Sequence, residues 1–159
     1  MRIFLLLTAL LLAGCGFHLR GQVVMPFDTM YLEATNPGTL FVLDLRRSLE
    51  INKIELVDAK EDADVVLDIV FEIADKQVLS LGADGRVNEF RLNYRVSLRA
   101  YDLKQQDWLP AEEFTQRRDY SYDDTQILAK EAEEASLQKS MRTEMVQQII
   151  RRLGNAKPQ

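Results

Sequence analysis

Two alternating segments in the middle of the chain constrain its fold most. In the first, Val65, Leu67, Ile69, Phe71 and Ile73 take one parity, and Asp64, Asp68 and Glu72 take the other. In the second, Phe90, Leu92, Tyr94, Val96, Leu98 and Ala100 alternate with Glu89, Arg91, Asn93, Arg95, Ser97 and Arg99. Side chains along a strand point to opposite faces with period two, so each segment predicts a long strand with one buried and one polar face. Ala83-Asp84-Gly85-Arg86 lies between them. Asp-Gly favours a two-residue type I′ turn, in which both central residues need positive φ. That turn sets Ile73 opposite Val96, Phe71 opposite Leu98 and Ile69 opposite Ala100, a register in which the apolar faces coincide. On the other face it brings Glu72 diagonally near Arg95 and Arg99, pairs worth roughly 0.2–1 kcal/mol each. The stretch from Lys76 to Phe90 is less regular and is expected to project beyond the core.

The flanks supply the remaining elements. A short strand fits Met30 to Ala34, and Asn36-Pro37-Gly38 breaks it. A helix fits Thr39 to about Asn52, with Phe41, Leu45 and Leu49 at spacings of four and Val42 beside them. Ile54, Leu56 and Val57 form an extended exit or a short strand. Lys104 to Pro110 reads as a polar connection holding the sole tryptophan, Trp108, before a last strand over Glu113 to Tyr122. Asp123-Asp124-Thr125 can cap a long helix that runs to about Leu153. Its apolar face begins with Leu128, Ala132 and Ala135 and continues through Leu137, Met141, Met145 and Ile149. Arg151 and Arg152 suit its C-terminal dipole, and Gly154 can end it. This order predicts the α+β class, with a mixed four-stranded sheet and two helices packed on one face of a single domain over residues 30–154.

The first residues say where that domain works. Met1-Arg2 is followed by an apolar run from Ile3 to Leu12, and Leu12-Ala13-Gly14 leads into the only cysteine, Cys15. That is the layout of a secretory signal over residues 1–14 whose removal leaves cysteine first. The run is shorter than the about 20 apolar residues of a membrane-spanning helix. A thioether-linked diacylglycerol and an N-acyl chain such as palmitate on Cys15 would tether the domain, each buried methylene contributing about 0.8 kcal/mol. Gly16 follows the cysteine where Gram-negative lipoproteins kept at the inner membrane carry Asp. The expected location is therefore the outer membrane, facing the periplasm. Residues 15–29 would form the anchored stem, and 155–159 a short tail.

Composition narrows the chemistry. The net charge of −5 argues against a nucleic-acid partner. His18 is the only histidine, and the only cysteine is consumed by lipid, so no nucleophile–base pair, zinc site or other metal site or cofactor site can be assembled from them. Asp64, Asp68 and Glu72 read as the outer face of a strand, and Glu131, Glu133 and Glu134 as a solvated helix turn. The chain is not expected to be an enzyme. Binding by surfaces remains. Arg91, Arg95 and Arg99 share one strand face, Arg86 sits at the hairpin tip, Arg117 or Arg118 can join them, and Lys130 lies in the first turns of the last helix. Guanidinium groups grip phosphates or carboxylates with paired hydrogen bonds. The same residues read equally as a solvated face balanced by nearby acids.

The run Cys15-Gly16-Phe17-His18-Leu19-Arg20-Gly21 resembles the start of mature lipopolysaccharide-assembly lipoproteins of the LptE family. The resemblance extends to the order of elements, to Glu89-Phe90 after the hairpin, to Ile127-Leu128-Ala129-Lys130 and to Ile149-Ile150-Arg151-Arg152-Leu153. It implies a non-enzymatic lipoprotein that plugs the lumen of the LptD β-barrel one to one. It also implies help with assembly of that barrel, and with it the insertion of lipopolysaccharide into the outer leaflet. Basic residues at the hairpin tip and early in the last helix are tied to lipopolysaccharide binding in that family. Lys130 matches the latter; Ala83 occupies the apparent tip position, and Arg86, with Arg91 behind it, is taken as the substitute. His18, Leu19 and Arg20, with Arg95 and Arg99, are read as barrel contacts or, for the first three, as anchor stem. A lipoprotein binding peptidoglycan or another envelope transport complex is the competing reading.

Overall fold

A computed structural model describes residues 23–158. Cys15, His18, Leu19 and Arg20 lie outside the described residues. Strand β1 (Thr29–Ala34) leads through helix α1 (Leu40–Ile51) to the two-residue strand β2 (Glu55–Leu56). A 3-10 turn at Lys60–Asp62 precedes the long strands β3 (Val65–Leu81), β4 (Val87–Tyr101) and β5 (Asp107–Ser121). Another 3-10 turn, Asp124–Gln126, opens helix α2 (Ile127–Gly154). The sheet has five strands in the order β2-β1-β3-β4-β5, one more than expected, because Glu55 and Leu56 pair with Thr29 and Met30. β1 runs parallel to both neighbours, and β3, β4 and β5 are antiparallel.

Local chemistry sets the ends of α1. The Thr39 hydroxyl accepts from the Val42 N–H at 3.2 Å, satisfying one of the free donors at the helix start. At the other end Lys53 takes φ 66°, while its N–H donates to Glu50 O and that of Ile54 to Leu49 O. That is a Schellman closure with lysine at the left-handed position that glycine usually fills. Phe41, Val42, Leu45 and Leu49 form the buried stripe. They meet Met141, Met145, Ile149 and Leu153 of α2 over Met30, Leu32, Leu67, Val96, Leu98 and Phe114 of the sheet, so both helices cover one face.

The hairpin register departs from expectation. Gly82 N–H donates to Arg86 O (2.7 Å) and Gly85 N–H to Gly82 O (3.0 Å), closing a three-residue loop in which Gly85 alone has positive φ, +79°. The extra loop residue slides the strands by one, so Ile73 faces Arg95 and Phe71 faces Ser97. A one-residue slip sends side chains to the other face. Phe71 and Ile73 therefore leave the core, and Glu72 takes the helix-covered side opposite Val96. A bulge at Val70 adds a second one-residue shift, which restores the face but not the expected register: Ile69 lies opposite Leu98 rather than Ala100, and Ile69, Leu67 and Val65 return to the core.

Two more corrections follow. Trp108 sits within β5 rather than in a connection, edge-on to Phe27 at 5.6 Å. The early inward face of α2 is not Leu128, Ala132 and Ala135, which are exposed; Lys130, Glu134 and Leu137 turn inward instead. The sheet under that half of the helix is the hairpin arm, where Lys76 and the Tyr120 hydroxyl meet Glu134 beside the Phe90 ring.

Candidate functional site

The uncovered sheet face carries a basic row. Arg91, Arg95 and Arg99 alternate along β4 as the sequence predicts, with Ser97 and Asn93 between them and Phe71, Ile73, Asp75 and Gln77 beside them on β3. On β5 the same face holds Glu113, Thr115, Arg117 and Asp119. Each arginine of the row meets an acid. Arg91 Nε and Nη2 donate to the two carboxylate oxygens of Asp119, both at 2.8 Å. Its guanidinium holds the Asp119 carboxyl below the usual carboxylate range. Arg99 Nε donates to Asp107 Oδ1 at 2.6 Å, and its Cζ lies 4.8 Å from the Tyr101 ring centre. Arg95 stands 3.8 Å from Glu113. Among the described residues no carboxylate lies within 4.0 Å of Arg117. A shallow depression of about 330 Å³ is lined by Arg91, Arg95, Arg117, Asn93, Asp75 and Gln77.

The other candidate residues gather where the hairpin tip meets the start of α2. Arg86 Nη1 donates to Asp124 Oδ2 at 2.8 Å and Nε lies 3.5 Å from Asp84, with the side chain 67% exposed. Lys130 Nζ donates to Glu133 Oε2 (2.8 Å) and Ser121 Oγ (3.2 Å), and its side chain is only 16% exposed. Between them runs an aromatic seam. Phe90 stacks on Tyr120 at 5.8 Å and meets Tyr122 edge-on at 5.1 Å. Lys76 lies 4.8 Å over Phe90 and donates to Glu134, which also accepts from Tyr120 Oη at 2.6 Å. Burial and the Glu134 carboxylate push the Tyr120 hydroxyl up. Glu134 is thus a pinned residue, not part of a solvated turn.

Two sets of groups thus converge: an ion-paired row on the open face and a tip cluster around Arg86 and Lys130. Arg118 does not join the row. It turns to the helix side and pairs with Glu144. Glu72 does not approach Arg95 or Arg99, since it accepts from Thr39 Oγ1 (2.6 Å) and Tyr94 Oη (2.7 Å) on the far side of the sheet. The acids that neutralise the row were not singled out from sequence. Arg91 and Asp119 are register partners, but that register depends on a β4–β5 turn with Gln105 at φ 63°, a position at which glutamine gives no signal. All these groups are hydrogen-bonding and charged side chains at the surface. They suit binding of anionic or polar surfaces.

Comparison with known proteins places this geometry. A family model described as lipopolysaccharide-assembly, LptE, matches residues 27–153. The LPS-assembly lipoprotein LptE of Pectobacterium atrosepticum is 28% identical over 155 residues, covering 92% of this chain and 80% of the relative. The solution structure of uncharacterized lipoprotein B from Nitrosomonas europaea superposes with a TM-score of 0.73 at 38% identity, over 86% of this chain and 88% of that one. The crystal structure of rare lipoprotein B from Shewanella oneidensis gives a TM-score of 0.68 at 27% identity, over 77% and 91%.

Proposed function

This chain belongs to the LptE family of lipopolysaccharide-assembly lipoproteins, and on that footing we propose that it plugs a β-barrel of the LptD kind and serves the delivery of lipopolysaccharide to the outer leaflet. It is tethered by lipid on Cys15 at the periplasmic side of the outer membrane, and the domain over residues 30–154 enters the barrel lumen one to one. The observation that carries this reading is the uncovered sheet face, polar along β4 and β5, with Arg91, Arg95 and Arg99 each beside an acid, over a continuous apolar core. A barrel lumen is lined by polar side chains, so a plug needs a hydrophilic exterior that does not demand water for its charges. Arg91–Asp119 and Arg99–Asp107 satisfy one another within the chain. The lipid tether keeps the body beside the assembling barrel and raises its effective concentration there.

Lipopolysaccharide itself would be met through Arg86, Arg91 and Lys130. Its phosphates can replace a carboxylate as the partner of a guanidinium, because both accept in the same bidentate geometry. Arg86 is best placed for that exchange, being two-thirds exposed at the tip. The test is recovery of the tagged full chain from detergent-solubilised outer membrane. Equimolar recovery of one large β-barrel supports the reading; recovery of murein alone favours a peptidoglycan-binding lipoprotein.

A further inference from the structure

Strand β3 is protected along only part of its length. Its pairing with β1 ends at Ala34 opposite Ile69, so from Val70 to Leu81 it has β4 on one side and no strand on the other. Among the described residues no other backbone hydrogen bond reaches that stretch. Sheet edges normally carry charge, proline or a cover that prevents further pairing. The β5 edge follows that rule, with Pro110, Glu112, Glu113, Arg117, Arg118 and Asp119. The β3 edge carries Glu72, Asp75 and Lys76 but no proline, and its charges are engaged within the chain: Lys76 is drawn off to Glu134 of α2 and Asp75 accepts from Asn93 and Gln77, while Val70 and Val78 are each 52% exposed.

Two cavities flank this edge, and Glu72 and Ala74 line both. One, of about 410 Å³, opens toward Asn36 and Thr39; the other, of about 340 Å³, opens toward Leu40 and Met141. Glu72 accepts only from the neutral Thr39 and Tyr94 hydroxyls, and among the described residues no cationic nitrogen lies within 4.0 Å of it. Its charge is met by two hydroxyl donors and not by a cation within that distance.

We propose that the free edge of β3 from Val70 to Val78 receives an extended polypeptide segment of the barrel partner, with a basic side chain of that segment set against Glu72. This rests on the reading above that a barrel encloses the chain. A row of backbone N–H and C=O groups at strand spacing is complemented only by another extended backbone; acyl chains and sugars do not present that repeat. Main-chain bonds would supply affinity, and the two cavities would receive side chains of the added strand. The strands of a closed barrel are already paired on both sides. The segment is thus a loop or terminal extension of the barrel that enters its lumen.

Amide hydrogen exchange on the full lipidated chain, alone and in the complex purified from outer membrane, tests this. In the complex the peptides covering residues 70–78 should exchange at least tenfold more slowly, while those of β4, a strand already paired on both sides, are unchanged. Glu72→Gln removes the charge while its oxygen accepts from one hydroxyl and its amide donates to the other; it should raise the complex's dissociation constant by roughly three- to fivefold, the range for a partly exposed ion pair. A barrel recovered with the 70–78 amides unprotected overturns the edge inference and leaves the plug reading standing. Recovery of no barrel overturns both. Protection that grows with concentration of the chain alone assigns the edge to a second copy and also overturns the proposal.

Discussion

Tyr94 donates its hydroxyl proton to Glu72 at 2.7 Å, across two strands whose one-residue slip puts that carboxylate on the helix-covered side of the sheet. The same carboxylate takes the Thr39 hydroxyl at the start of α1. One acid thus ties the hairpin to the first helix.

Tyr94→Phe should therefore destabilise the fold by about 1.5–3 kcal/mol, the range for a hydrogen bond to a charged acceptor. Thr39→Ala removes both the helix cap and the second bond to Glu72, and should cost about 2–4 kcal/mol. Thr39→Ser should restore most of it. Urea midpoints at constant slope read each value.

The two hairpin loops make a matched pair with opposite signs. Each closes on three residues with the third in left-handed backbone, Gly85 at φ +79° and Gln105 at φ 63°. Gly85→Ala should destabilise by about 1 kcal/mol although no atom lies within 4 Å of the added carbon, since the cost is in the backbone. Gln105→Gly should stabilise by up to about 1 kcal/mol. Thermal unfolding of the two variants compares them directly.

Acid lability is expected at the junction of β1 and β3. The backbone N–H groups of Thr29 and Asp28 donate to the Asp64 carboxylate at 3.0 and 3.1 Å, and hold its pKa below the ordinary value. A depressed folded pKa contributes stability that is present above the unfolded pKa, near 3.9, and is lost as pH falls through the folded value. Asp64→Asn should therefore flatten the acid limb of melting temperature against pH below about pH 4, where the parent chain loses stability more steeply.

Charge at the tip should govern affinity for lipopolysaccharide. Arg86→Glu combined with Lys130→Glu should weaken binding of the purified glycolipid by about tenfold or more, with the far-ultraviolet circular dichroism unchanged. Asp124→Asn removes the carboxylate that competes for Arg86 and should strengthen binding by roughly two- to threefold. Equal affinity across these variants would exclude the tip as the binding locus.

Much of this fold is written in local periodicity. The alternation in β4 places Arg91, Arg95 and Arg99 on one face, and the four-residue spacing of Phe41, Leu45 and Leu49 places α1 on the core. Both signals are short-range, so they survive without knowledge of partners. The faces of β3 beyond Val70 are not legible in that way. They depend on whether the tip loop spans two residues or three, and Asp84-Gly85 serves either. Apolar content then misleads: Phe71 and Ile73 look like core, yet Glu72 takes the covered side because Thr39 and Tyr94 are there to receive it. The site divides likewise. The basic residues are visible in sequence, whereas Asp124, Asp119 and Asp107 become their partners only through loop conformations at Gly85 and Gln105.

Thiol labelling on the uncovered sheet face tests the plug most directly. Thr115→Cys introduces an exposed thiol there, in a chain whose only native cysteine is expected to carry lipid. A membrane-impermeant maleimide should label it readily in the isolated protein and at least tenfold more slowly in the complex purified from outer membrane. Equal rates in the two states would mean that no barrel wall surrounds this face, and would contradict the account.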